Sequence, residues 1–91
     1  MKLTVNVTER DIKYGKIQNG HTCPVARACR RLKYFRNYKD LAVSVTHVYL
    51  DMWLISPIPL PYEAKRFIQL FDRGQVRKPF KFEIEVPDGK E

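Results

Sequence analysis

The chain has 91 residues and carries 17 Lys or Arg against 10 Asp or Glu, a formal charge of +7. That length makes one domain spanning residues 1–91 and buries about 60–65% of the unfolded surface, leaving little core to spare for a deep active site. Hydrophobic and charged fractions of 44% and 30% exclude a disordered chain, two cysteines are too few for a disulfide scaffold, and no run approaches the ~20 apolar residues that span a bilayer.

Leu3, Val5 and Val7 alternate with Thr4 and Asn6, the period of a half-buried strand. This alternation is not that of an apolar targeting segment, so a cytoplasmic location with reduced thiols is expected. Thr8 followed by Asp11 resembles a capping box and predicts a short helical turn over residues 9–14, stopped by Gly15. Residues 16–22 read as a polar loop turning at Asn19-Gly20. Pro24 suits the first turn of a helix, where its missing N–H costs nothing. Val25, Ala28, Cys29, Leu32 and Phe35 then share one face, with Arg27, Arg30, Arg31 and Tyr34 opposite and Lys33 at the edge. This helix is expected to end between Asn37 and Asp40.

Residues 41–50 are rich in β-branched side chains and predict a strand. A turn around Asp51 joins it to another over residues 52–55. Residues 57–61, Pro-Ile-Pro-Leu-Pro, are extended and stiff, either a rigid connector or a proline-rich ligand. Pro61 opens a second long helix with Ala64, Phe67, Ile68 and Phe71 as its apolar stripe and Gly74 as its stop. Phe80, Phe82, Ile84 and Val86 alternate with Lys81, Glu83 and Glu85 as a final strand, closed by Pro87-Asp88-Gly89. The principal elements run β-α-β-β-α-β, the order of a ferredoxin-like (split βαβ) antiparallel sheet with both helices on one face. A looser α+β arrangement is the alternative.

The charge is unevenly placed. Residues 1–40 hold ten basic residues and three acids, and residues 41–91 hold seven of each. No acid occurs from residue 23 to residue 39. Charge of one sign gathered in one place points to an anionic partner, with a solubilising surface as the plainer reading. The candidate binding residues are Arg27, Arg30, Arg31, Lys33, Tyr34, Arg36, Tyr38 and Lys39. Guanidinium groups bridge phosphates, and exposed tyrosines stack on unpaired bases. The same face suits an acidic protein surface.

RNA-recognition domains need aromatics on the wet face of their first and third strands. Here the first strand turns Thr4 and Asn6 outward and the third offers Trp53 at most, so the helix or loop edge is the better candidate. His21, Cys23 and Cys29 are good zinc ligands, but spacings of one and five residues match no standard site, and no metal or other cofactor is expected. A thiol at a helix start beside His21 and arginines would have a lowered pKa, which makes Cys23 the candidate for a thiol-dependent enzyme. No other catalytic motif is present, and Glu83 and Glu85 read as a wet strand face.

Three blocks carry a resemblance: Val7, Thr8, Asp11 and Ile12; Cys23-Pro24-Val25-Ala26 with Ala28; and Phe67-Ile68 with Phe71-Asp72, Gly74, Pro79-Phe80 and Phe82. They are similar to small uncharacterised proteins encoded by phages and prophages. The resemblance implies a mobile-element origin, host cytoplasm as the location, and a small binding protein acting on host machinery; it assigns no site residues. The expectation is a non-enzymatic basic module engaging nucleic acid through its first long helix. An inhibitor or adaptor for an acidic host surface is the alternative, and an enzyme using Cys23 the third reading.

Overall fold

The computed structural model describes residues 1–51, 56–75 and 78–87. In chain order the elements are β1 (Lys2–Val7), α1 (Glu9–Tyr14), α2 (Pro24–Arg30), a 3-10 turn (Lys33–Asn37), β2 (Leu41–Val43), β3 (His47–Leu50), β4 (Ile58–Pro59), α3 (Tyr62–Asp72) and β5 (Phe80–Glu85). The chain is thus α+β. Its first and last strands pair antiparallel, Leu3 opposite Ile84, Val5 opposite Phe82 and Val7 opposite Phe80. The Met1 and Val86 backbones exchange two 2.9 Å hydrogen bonds at the end of this ladder. Alternation puts Val5, Val7, Phe82 and Ile84 in the core and leaves Thr4, Asn6, Lys81 and Glu83 wet.

The expected single sheet is replaced by two. β1 and β5 form a two-stranded sheet, and β2, β3 and β4 form a separate antiparallel one. A ferredoxin-like sheet also pairs its first strand with its last and its middle strands with each other, but it joins the two pairs by setting a middle strand against the first. Among the described residues β1 pairs with β5 alone, and that join is not made. The strand expected over residues 41–50 is a hairpin. The Ser44 hydroxyl accepts from the Thr46 and His47 N–H groups at 3.1 and 3.0 Å, drawing those amides out of the ladder. The proline-rich stretch contributes β4, which lies at the edge of its sheet, where proline's missing donor is tolerated. The turn at Asp51 adopts φ +45°, and its carboxylate accepts from the Asp40 N–H at 2.8 Å. The strand expected over residues 52–55, with Trp53, and the stop at Asp88-Gly89 lie outside the described residues.

The helices start and stop as the local chemistry dictates. Both halves of the α1 capping box form: Thr8 Oγ1 accepts from the Asp11 N–H at 3.2 Å, and Asp11 Oδ2 accepts from the Thr8 N–H at 2.9 Å. α2 begins with Cys23 as its cap, Sγ accepting from the Ala26 N–H, and Pro24 in its first turn. α3 buries Ala64, Phe67, Ile68 and Phe71. It ends in a Schellman arrangement, with Gln75 N–H on Leu70 O, Gly74 N–H on Phe71 O, and Gly74 at φ +76°.

α2 is shorter than its periodicity predicts. It ends at Arg30, and Leu32 is extended at ψ 138° before the 3-10 turn. Side chains of adjacent residues on an α-helix diverge by about 100°. A continuous helix would bury Phe35 and leave Tyr34 in water. The break buries both, their rings edge-to-face at 5.2 Å.

Gly15 joins α1 to α2. A Cβ there would meet Asp11 O at 2.6 Å and Pro24 N and Cδ at 2.7 Å, so two backbones approach too closely for a side chain. Gly15→Ala is expected to lower stability by about 1–3 kcal/mol, read as a fall in the urea midpoint at unchanged slope. An unchanged midpoint would show that the α1–α2 junction is not closely packed.

Candidate functional site

Asp11 is fully buried at the point where α1, α2 and the end of β1 meet. Arg31 grips it with two donors, Nη1 to Oδ1 at 2.5 Å and Nη2 to Oδ2 at 2.7 Å. The Arg31 Nη2 also donates to Asn6 O at 2.8 Å. The Met1–Val86 pairing directs the backbone groups of Lys2, Thr4 and Asn6 to the open edge of β1, so Arg31 closes that edge at Asn6. Arg27 Nε lies 3.5 Å from Asp11 Oδ1, and its guanidinium sits 5.8 Å from the Tyr14 ring centroid. That Nε is buried without a hydrogen-bond partner among the described residues.

Burial acts to raise the Asp11 pKa. The hydrogen bonds from Arg31 and the Thr8 backbone, with the Arg31 charge, outweigh it and hold the carboxyl below its ordinary value. The same hydrogen bond to Asp11 raises the Arg31 pKa.

The predicted basic face is therefore divided. Arg27 and Arg31 serve Asp11. Arg30 Nη2 donates to His21 O and lies 3.4 Å from Leu41 O, tying the polar loop to β2. Tyr34, placed by the sequence on the exposed face, is buried; its hydroxyl donates to Pro87 O at 3.1 Å. The helix break explains the difference. Tyr38 is half-buried with its ring 5.8 Å from Tyr34. Lys33, Arg36 and Lys39 are exposed, and no ion pair among the described residues engages them.

An open groove of about 960 Å³ runs between the start of α1 and the start of β5. Arg10, Arg27, Arg31 and Lys81 supply its cations; Val7, Pro79 and Phe80 supply apolar wall, and Glu9 is the exposed acid of the lining. Arg10 and Lys81 are exposed and make no ion pair among the described residues. Sequence reasoning missed both. The available signal was the pairing of first and last strands, which sets Lys81 opposite Asn6 and hence near the start of α1.

The thiols have a different character from a reactive pair. Burial pushes the Cys23 pKa up and the Cys29 pKa to about 12, against a thiolate at neutral pH. Among the described residues no three metal-ligating side chains are gathered, and no helix is long and apolar enough to cross a membrane.

The folded Asp11 pKa lies below the unfolded value of about 3.9. The stability it contributes is therefore fully present above that value and lost as pH falls through the folded pKa. Asp11→Asn is expected to be less stable than the parent at pH 7, with the gap closing as pH falls from about 5 to 2. Urea titrations across that range check this; a pH-independent gap would contradict it. Comparison with protein-family models, with curated proteins and with solved structures finds no match.

Proposed function

We propose that this chain is a non-enzymatic module that binds nucleic acid along the groove between α1 and β5. The observation that carries the reading is the set of four cations around that groove, of which Arg10 and Lys81 have no acid partner among the described residues. Arg31 is held by Asp11 yet keeps 46% of its side chain exposed, so it presents a fixed guanidinium face. A bidentate partner pre-organises such a group and lowers the entropy lost on meeting a phosphate. Lys33, Arg36 and Lys39 add further exposed charge on the turn after α2. A phage or prophage origin, implied by the resemblance of the Cys23 and Phe67 blocks, accords with a small binding module of this kind.

Phosphate contacts release counterions, so affinity falls with salt in proportion to their number. In fluorescence anisotropy with a labelled oligonucleotide, log affinity against log salt is expected to be linear. Arg10→Ala and Lys81→Ala should each reduce the slope by about one contact's worth while leaving the urea midpoint unchanged. Absence of binding at ~50 mM salt, where such contacts are strong, would overturn the reading, as would affinity insensitive to both substitutions.

A further inference from the structure

We infer that the groove seats an unpaired nucleobase on Phe80, so that the ligand is single-stranded nucleic acid and not duplex. The inference rests on the nucleic-acid reading above and adds the form of the ligand. Phe80 is an inward-facing residue by strand alternation, opposite Val7, and yet it is only half-buried. β1 ends at Val7 and the chain turns away into the Thr8 cap, so nothing in the sheet continues over the ring on that side. On the core side the ring is held firmly. It stacks at 4.6 Å on Phe67 of α3, with planes 29° apart, and at 5.5 Å on Phe82, with planes 25° apart. A ring fixed from behind and open in front is a stacking platform already ordered before the ligand arrives. Exposed Pro79 extends it by one more apolar surface.

Charge complementarity commits the occupant. The apolar wall of Pro79 and Phe80 lies within the reach of Arg10, Arg31 and Lys81. Anionic groups are thus favoured at the rim and a flat apolar group beneath them. A nucleotide has that division, with phosphate and base separated by a sugar. The volume of about 960 Å³ falls at the upper end of the range for small-ligand sites. In a duplex the base faces are stacked on one another, and only phosphates and groove edges reach a surface. A recessed aromatic ring gains nothing from them. An unpaired base offers its π-face regardless of sequence, so little sequence preference is expected.

The test uses the intact chain and four labelled probes of one mixed sequence at one salt concentration. They are single-stranded DNA, single-stranded RNA, the DNA duplex, and a DNA strand of the same length that is abasic at every position. The single strands are expected to bind about tenfold more tightly than the duplex or the abasic strand, the scale of one stacked base. Phe80→Leu, which keeps apolar bulk against Phe67, should lose that preference and leave the residual affinity and its salt slope as they are in the duplex. Phe80→Tyr, which keeps the ring, should retain it. Equal affinity of the parent for intact and abasic strands, or for strand and duplex, overturns the base seat while the phosphate-binding reading stands. A strand preference that survives in a folded Phe80→Leu overturns the assignment to Phe80. No binding to any probe overturns the nucleic-acid reading itself.

Discussion

The ion pair of Arg31 with buried Asp11 is the constraint on which the rest of this small structure depends. Asp11 belongs to two devices at once. Its backbone N–H and its carboxylate complete the Thr8 cap that starts α1, and its carboxylate receives Arg31 from the end of α2. Arg31 in turn reaches Asn6 on the open edge of β1. One carboxylate and one guanidinium therefore join three consecutive elements. Removing one partner of a buried pair leaves a charge without compensation, a cost of about 3–5 kcal/mol when both groups are deeply buried. Here Arg31 is half exposed, and screening by water reduces the figure for its own loss of partner. Asp11 has no such relief, being fully buried.

This use of charge changes how the basic face of the chain is read. A stretch without acids looks like a surface waiting for an anion, since no counter-charge lies within helical reach. The counter-charge comes instead from Asp11, 20 residues before Arg31. Arg27 shares it, and Arg30 is occupied with the carbonyls of His21 and Leu41. The cations left for a partner are mainly those outside α2: Arg10 and Lys81 at the groove, Lys33, Arg36 and Lys39 on the following turn. The same pairing that fixes the fold holds the Arg31 guanidinium at the wall of that groove, so stability and recognition meet in one side chain.

What was legible in the sequence was whatever is decided locally. The Thr8–Asp11 cap, the Pro24 start, the stripe and glycine stop of α3, and the alternation of β1 and β5 all depend on residues within a few positions of each other. What was illegible depends on long-range competition. The periodicity of residues 25–35 fits a continuous helix, but two adjacent aromatics gain more by both entering the core, and α2 breaks to allow it. The β-branched run over residues 41–50 hides a hairpin, because a single serine hydroxyl can take two amides out of a ladder. Of the candidate site, Arg27 and Arg31 were visible as cations but not in their duty to Asp11, and Arg10 and Lys81 were not singled out. Arg10, Lys81 and Phe80 come together only through the pairing of the chain's two ends.

A double-mutant cycle between Asp11 and Arg31 tests the central claim most directly. Asp11→Asn, Arg31→Gln and the double variant are unfolded in urea at pH 7, and the coupling energy is taken from the four stabilities. The account predicts a coupling of about 2 kcal/mol, well above the 0.2–1 kcal/mol of an exposed ion pair. A coupling within about 0.5 kcal/mol of zero would contradict it. Arg31 would then be an ordinary surface cation, free for a partner as its sequence context first implies.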